Sequence, residues 1–217
     1  MTVKLAVFDC DGTLVDGQAS ICTAMERAFA GLGLALPDRQ QVRRIVGLNL
    51  PQAMRRLLPE HEAAVHAAAV DAYKSAYRAA REAGEISEPL FDGIASLLDR
   101  LRAQHWLLGV ATGKSDRGLD HCLAAHDLSG HFITRQTADR HPSKPHPAML
   151  QAALDEALAQ PEDAVMIGDT VFDIHMARAA GVRALGVAWG YHSAQELREA
   201  GAQDIAETPA ELERMLP

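Results

Sequence analysis

Asp9-Cys10-Asp11-Gly12-Thr13-Leu14-Val15-Asp16 follows directly on the apolar run Leu5-Ala6-Val7-Phe8. Two carboxylates two residues apart, then a glycine and a threonine, are poor packing material at the exit of a buried strand. They suit phosphate and metal chemistry, in which one carboxylate attacks while its neighbour manages a proton. Gly12 lets the backbone come close to a bound group, and exposed amides with the Thr13 hydroxyl can hold phosphate oxygens. An Asp/Gly turn after an edge strand is the plainer reading of this octet taken alone. Three further segments weigh against it.

Each has the same grammar, an apolar strand delivering polar residues at its end. Trp106-Leu107-Leu108-Gly109-Val110-Ala111 runs into Thr112-Gly113-Lys114-Ser115, where a hydroxyl and a glycine amide opening a helix suit an anion; a simple Thr/Ser helix cap explains them equally well. Ser143-Lys144-Pro145-His146-Pro147 follows Pro142, and the prolines hold Lys144 on a defined path. His141 and His146 flank the lysine without a third ligand at zinc-type spacing, so they read as surface or supporting histidines. Ala164-Val165-Met166-Ile167 leads into Gly168-Asp169-Thr170-Val171-Phe172-Asp173. Asp173 lies one turn after Asp169 and faces the same way.

Together Asp9, Asp11, Asp169 and Asp173 place up to four carboxylates at one edge of a sheet. Like charges about 4 Å apart cost on the order of 4 kcal/mol per pair at intermediate dielectric, so the cluster demands a cation. Oxygen-only ligands select a hard ion, and Mg2+ is the usual choice where substrate phosphate completes the shell.

The elements that must position these residues follow from periodicity. Short apolar strands alternate with helical stretches, which predicts an α/β fold with a parallel sheet covered on both faces. Strands are expected near 3–9, 106–111, 131–135, 164–168 and 183–188, with helices near 93–104, 115–126, 147–159, 172–180 and 193–200. Ligands in such sheets bind at the carboxyl ends of strands, where the four motifs fall. Between Asp16 and about Ser87 the alternation stops. Helices are expected from Gln18 to Ala30, from an Asp38 cap to Gly47, from Asn49-Leu50-Pro51 through Leu58, and from Pro59-Glu60 to Gly84. Ala68, Ala72, Ala76 and Ala80 make a small-residue stripe on the last, and Tyr73 and Tyr77 read as packing residues beside it. The division is thus 1–16 and 88–217 for the α/β unit and 17–87 for an inserted helical unit, tethered near 14–17 and 84–92.

The ordered set Asp9–Asp16, Thr112, Lys144 and Gly168-Asp169 through Asp173 resembles the haloacid dehalogenase-like hydrolase superfamily, in its phosphoglycolate phosphatase-like and beta-phosphoglucomutase-like branch. The resemblance implies a Rossmann-like core with a mobile helical cap. It also implies Mg2+-dependent hydrolysis of a small phosphomonoester through an aspartyl-phosphate, with Asp9 as nucleophile and Asp11 as general acid and base. Asp11, Gly12, Thr112, Gly113 and Lys144 would hold the phosphoryl group. Asp9, the Asp11 carbonyl and Asp169 would bind the metal directly, and Asp173 would act through water or by orienting the shell. The cap loop Gly47-Leu48-Asn49-Leu50 would face the active site, with Arg43 or Arg44 pairing with a carboxylate on the leaving group; Asn49 serves equally well as a helix cap. A sugar-phosphate mutase would keep all these residues. A non-catalytic phosphate-binding module is the alternative from another class, and nothing in mere binding needs Asp11. A phosphonate-cleaving enzyme would want a cap lysine, and Lys74, in mid-helix, is the one lysine between 16 and 90.

Bulk properties agree. The chain has 217 residues, 48% of them hydrophobic and only 5% aromatic, which suits an alanine- and leucine-packed globule of one core and an accessory unit. A net charge of −8 disfavours nucleic acid as a partner. No apolar run reaches membrane-spanning length, and the N-terminal residues lack a signal-peptide core. Cys10, Cys22 and Cys122 are widely spaced, as in a reducing cytoplasm. The expected partner is a small phosphorylated metabolite, and the expected state a monomer or homodimer. Cys10 has no catalytic role in this reading, and its thiol would be an oxidation site only if exposed.

Overall fold

Leu5–Phe8 forms β1, buried at every residue, at the centre of a parallel sheet in the computed structural model, which describes residues 3–216. The other strands are β2 (Leu107–Thr112), β3 (Thr134–Thr137), β4 (Ala164–Gly168), β5 (Arg183–Val187) and β6 (Asp204–Ala206). Their order is β3-β2-β1-β4-β5-β6, with every pairing parallel. Side chains alternate across a strand, so Ala6 and Phe8 join one buried layer while Leu5 and Val7 join the other. On the first face lie α5 (Ile94–Ala103), α6 (Asp116–Ala125) and α10 (Pro209–Met215). On the second lie α7 (Ala148–Ala157), α8 (Val171–Ala179) and α9 (Ala194–Ala200). This is the α/β, Rossmann-like arrangement that apolar runs without alternation call for.

Between β1 and β2 the chain inserts α1 (Gln18–Gly31), α2 (Arg39–Ile45), α3 (Leu50–Leu57) and α4 (Ala63–Glu82), which bury a core of their own around Met25, Phe29, Val42 and Met54. Asp38 and Asn49 cap α2 and α3, accepting from the amides of Gln40 and Gln52 at 3.0 Å each. The outgoing and returning segments are stitched together: the Asp16 amide donates to Pro89 O at 2.8 Å and that of Phe91 to Leu14 O at 3.0 Å.

The structure departs from the expectations at four places. β3 is shifted from 131–135 to Thr134–Thr137, because its buried polar residues satisfy one another; Gln136 Nε2 donates to Thr134 Oγ1 at 2.8 Å. β6 and α10 were not signalled, since β6 is a three-residue edge strand with no apolar run. The last inserted helix begins at Ala63 rather than Pro59. Its buried small residues are Ala69 and Ala80, whereas Ala68 is exposed. Each four-residue step rotates about 40° around an α-helix, so a long i+4 row drifts off any one face.

Candidate active site

Parallel strands end together, and the strand order turns back between β1 and β4, opening a crevice at their carboxyl ends. Asp9 stands just past β1, its amide still donating to Ile167 O at 2.9 Å. Asp169 stands just past β4, and Asp173 lies in the first turn of α8. Carboxylate oxygens from Asp9, Asp169 and Asp173 lie within 4.8 Å of one another, all three side chains buried.

Lys144 enters from the loop between β3 and α7 with no solvent exposure. Its Nζ is 2.8 Å from Asp9 Oδ1 and 2.6 Å from Asp173 Oδ1. Asp173 Oδ2 accepts from the Thr170 hydroxyl at 2.7 Å and the Thr170 amide at 3.1 Å. Asp169 accepts from the Thr13 hydroxyl at 2.8 Å and the Tyr191 amide at 2.9 Å. Gly12, at φ +87°, makes this closeness possible, since a Cβ there would sit 2.1 Å from Asp169 Oδ2. The Thr13 hydroxyl is therefore not an exposed phosphate donor; it is buried and orients Asp169.

Ionised, three carboxylates against one ammonium leave two negative charges uncompensated. Burial pushes the Asp9 carboxyl up to about 7, although Lys144 works against it. Burial, with Asp9 and Asp173 close by, raises Asp169 well above the ordinary range. For Lys144 burial favours loss of the proton, but Asp173 and Asp9 outweigh it and hold the ammonium. Asp9 Oδ2 is buried with no hydrogen-bond partner among the described residues. An all-oxygen set two charges short, with an orphaned carboxylate oxygen, fits a hard divalent cation. Asp173 commits both oxygens to Lys144 and Thr170, which suits orienting the set more than ligating an ion.

A carboxyl with a folded-state pKa above its unfolded value binds more protons folded than unfolded between the two, so stability falls as pH rises through that window. For Asp9 the window runs from 3.8 to about 7. The metal-free protein is expected to melt progressively lower as pH rises through this interval. Mg2+ at one hundred times its Kd at pH 8 should stabilise the protein by about 3 kcal/mol, and the same concentration should give a smaller shift at pH 5, where protons compete for the carboxylates. Melting scans with Mg2+ and with EDTA check this, and an Mg2+ effect independent of pH contradicts it.

Asp11 faces a second cluster. Lys114 Nζ lies 2.9 Å from Asp11 Oδ1 and 2.5 Å from Glu88 Oε1, and Tyr77 OH donates to the same Glu88 oxygen at 2.9 Å. Burial raises the Asp11 carboxyl, and Lys114 offsets part of that rise. Burial also opposes ionisation of Glu88, but Lys114, Tyr77 and Arg81 outweigh it and leave the carboxyl lowered. Glu88 lies on the segment returning from the inserted helices, so this network links Asp11 to α4. Glu88 carried no sequence signal, being one acid before a proline.

A cleft of about 610 Å3 separates the helical unit from the sheet edge, lined by Asp9, Asp11, Thr112 and Gly113 on one side and Gly47, Leu48 and Asn49 on the other. Gly113 needs its bareness: a Cβ would fall 2.8 Å from the carbonyl oxygens of Gly47 and Leu48. The Asn49 amide donates to Ser143 Oγ at 2.8 Å, while its side chain caps α3. Thr112 does not cap α6, a task that falls to Ser115; its buried hydroxyl accepts from the Lys114 amide at 3.2 Å. Gly12, Lys144, Asp169 and Asp173 do not line the cleft. Neither Arg43 nor Arg44 lines it: Arg43 lies over the Tyr191 ring at 6.0 Å and Arg44 pairs with Glu196 on α9 at 2.5 Å. Tyr73 and Tyr77 pack on the helical core and also line the cleft. Cys10 is fully buried, its Sγ 3.8 Å from that of Cys122. His141 is half-buried, paired with Gln136 Oε1 at 2.7 Å, and His146 is exposed. Among the described residues no helix is long and apolar enough to cross a membrane.

Residues 6–187 match the haloacid dehalogenase-like hydrolase family. "Probable phosphatase IndB" from Dickeya dadantii (strain 3937) is 35% identical over 212 residues, covering 96% of this chain and 91% of that one. A phosphoglycolate phosphatase from Xylella fastidiosa (strain 9a5c) is 30% identical over 197 residues, covering 89% and 83%. The crystal structure of a predicted phosphatase from Clostridium acetobutylicum superposes with a TM-score of 0.88 at 25% identity, covering 99% of this chain and 98% of that one.

Proposed function

The chain belongs to the haloacid dehalogenase-like hydrolases, and from that premise we propose that it cleaves a small phosphomonoester by way of a phosphorylated Asp9. It is a phosphoric monoester hydrolase of the phosphoglycolate phosphatase type. One observation carries the finer reading: Asp9 alone among the three clustered carboxylates also lines the cleft. A nucleophile has to belong to both, held by the charged set and open to substrate.

In this account the Asp9 carboxylate attacks phosphorus, and the bond to the leaving oxygen breaks. Asp11 gives its proton to that oxygen and later takes one from the water that cleaves the acyl phosphate. Burial favours the protonated acid that the first step requires. The Thr112 hydroxyl and Gly113 amide hold the transferring oxygens, and Lys144 offsets charge beside Asp9. Asp9, Asp169 and the Asp11 carbonyl would hold Mg2+, which when bound offsets the charge of the phosphate dianion. Asp173 orients Lys144. Residues 17–87 act as the cap, and the stitched segments near 14–17 and 84–92 as its tether; docking of Gly47 and Leu48 onto Gly113 excludes water during transfer.

Phosphate release from a metabolite panel, with Mg2+ and with EDTA, tests the activity; turnover unaffected by EDTA contradicts the metal assignment. Asp11→Asn tests the acid. Its kcat/KM for an alkyl phosphate should fall by about 10²-fold or more. For p-nitrophenyl phosphate the loss should be much smaller, because that phenolate departs without a proton. Equal losses for the two esters contradict the role.

A further inference from the structure

Lys74, Arg78 and Arg81, all the lysines and arginines of α4, lie one turn apart on one face and line the cleft. The acids of the same helix, Asp71 and Glu82, do not line it. Lys114 and Arg117 bring the cleft's cations to five against three carboxylates, Asp9, Asp11 and Asp139, in a chain of net charge −8. Arg81 lies near Glu88, at 3.7 Å, and Lys114 is paired with it. Lys74 and Arg78 have no side-chain partner among the described residues.

The rest of the cleft wall is largely apolar, with Tyr73, Tyr77, Ile21, Met25, Ile45 and Leu48 among its residues. A volume of about 610 Å3 lies within the roughly 300–1,000 Å3 range of pockets that enclose drug-sized ligands. A two-carbon phosphomonoester would leave most of that space to water. The cap loop, the expected reader of the leaving group, spends its polar groups elsewhere, since Asn49 caps α3 and bonds Ser143.

We propose that Lys74 and Arg78 are specificity residues, binding a second anionic group on the leaving alcohol of a substrate whose body is apolar or aromatic and longer than two carbons. The inference rests on the phosphatase reading above and adds the leaving group to it. The anionic group is a carboxylate or a second phosphate, both of which suit paired cations in a cleft that concentrates anions.

Three esters with nearly the same leaving alcohol test it: benzyl phosphate, 4-carboxybenzyl phosphate and 1,4-xylylene bisphosphate. The wild-type protein should favour one or both of the doubly anionic esters over benzyl phosphate by about tenfold in kcat/KM, the effect of one or two charge-assisted contacts, and the preferred ester says which oxyanion is read. Lys74→Ala with Arg78→Ala should bring that ratio close to one, chiefly through KM, while Lys74→Arg with Arg78→Lys should retain it. Equal turnover of all three esters by the wild type overturns the inference and leaves the phosphatase reading standing, as does a ratio untouched by the alanine pair. No turnover of the three esters by a protein that releases phosphate from the metabolite panel overturns the inference alone; no turnover of the esters or of any panel member overturns both.

Discussion

Asp9→Asn is expected to lower turnover by at least about 10⁴-fold, the scale seen when a catalytic nucleophile is removed, without loss of the fold. The amide has nearly the shape of the carboxylate but cannot attack phosphorus. Its effect on stability should be small or favourable, because Asp9 is a buried acid whose carboxyl is pushed up to about 7. A neutral group there removes one of three crowded charges, and Lys144 keeps its 2.6 Å contact with Asp173. Single-turnover assays and melting scans check both halves. Residual activity within tenfold of wild type contradicts the assignment. So does a loss of activity that tracks a loss of fold.

Lys144→Met should damage stability and activity together. The side chains are similar in length, so packing is largely kept while the ammonium is lost. That ammonium is fully buried between Asp9 and Asp173. Removing one partner of a buried ion pair costs about 3–5 kcal/mol, because the remaining charges are uncompensated. At roughly 2–4 °C per kcal/mol for a chain of this size, the melting point should fall by about 6–20 °C. Activity should fall by about 10³-fold, as on removal of a group that stabilises transferring charge. Adding Asp173→Asn to the methionine variant removes one orphaned carboxylate and should restore part of the stability without restoring turnover. Such non-additivity is expected of side chains in direct contact. Losses that simply add would show that Lys144 and Asp173 act independently.

How far the chain could be read ahead of its structure depended on where each residue's partners lie. The central strands were legible because burial on both faces forces runs such as Leu5–Phe8 and Ala164–Ile167, whereas the edge strand β6 needs no such run. The motif residues stood out because carboxylates, glycines and a proline-bracketed lysine are costly just past an apolar strand unless something uses them. Their supporting partners were silent. Thr13 orients Asp169 across 156 residues, and Glu88 meets Lys114 across 26. Neither contact has a local periodicity, because the tertiary fold alone creates it. The four-residue alanine row on α4 failed for a geometrical reason, the slow rotation of any i+4 row around the helix. The arginines before the cap loop were drawn away by Glu196 and Tyr191, residues from the far end of the chain.

Chemical trapping reads directly whether a phosphoryl group passes through Asp9. Protein quenched during turnover with Mg2+ and substrate, then reduced with borohydride, has any acyl phosphate converted to the corresponding alcohol, and peptide mass spectrometry locates it. Homoserine at position 9, absent without substrate, is the predicted result. Reduction at another carboxylate, or an unmodified position 9 while phosphate is being released, contradicts the account.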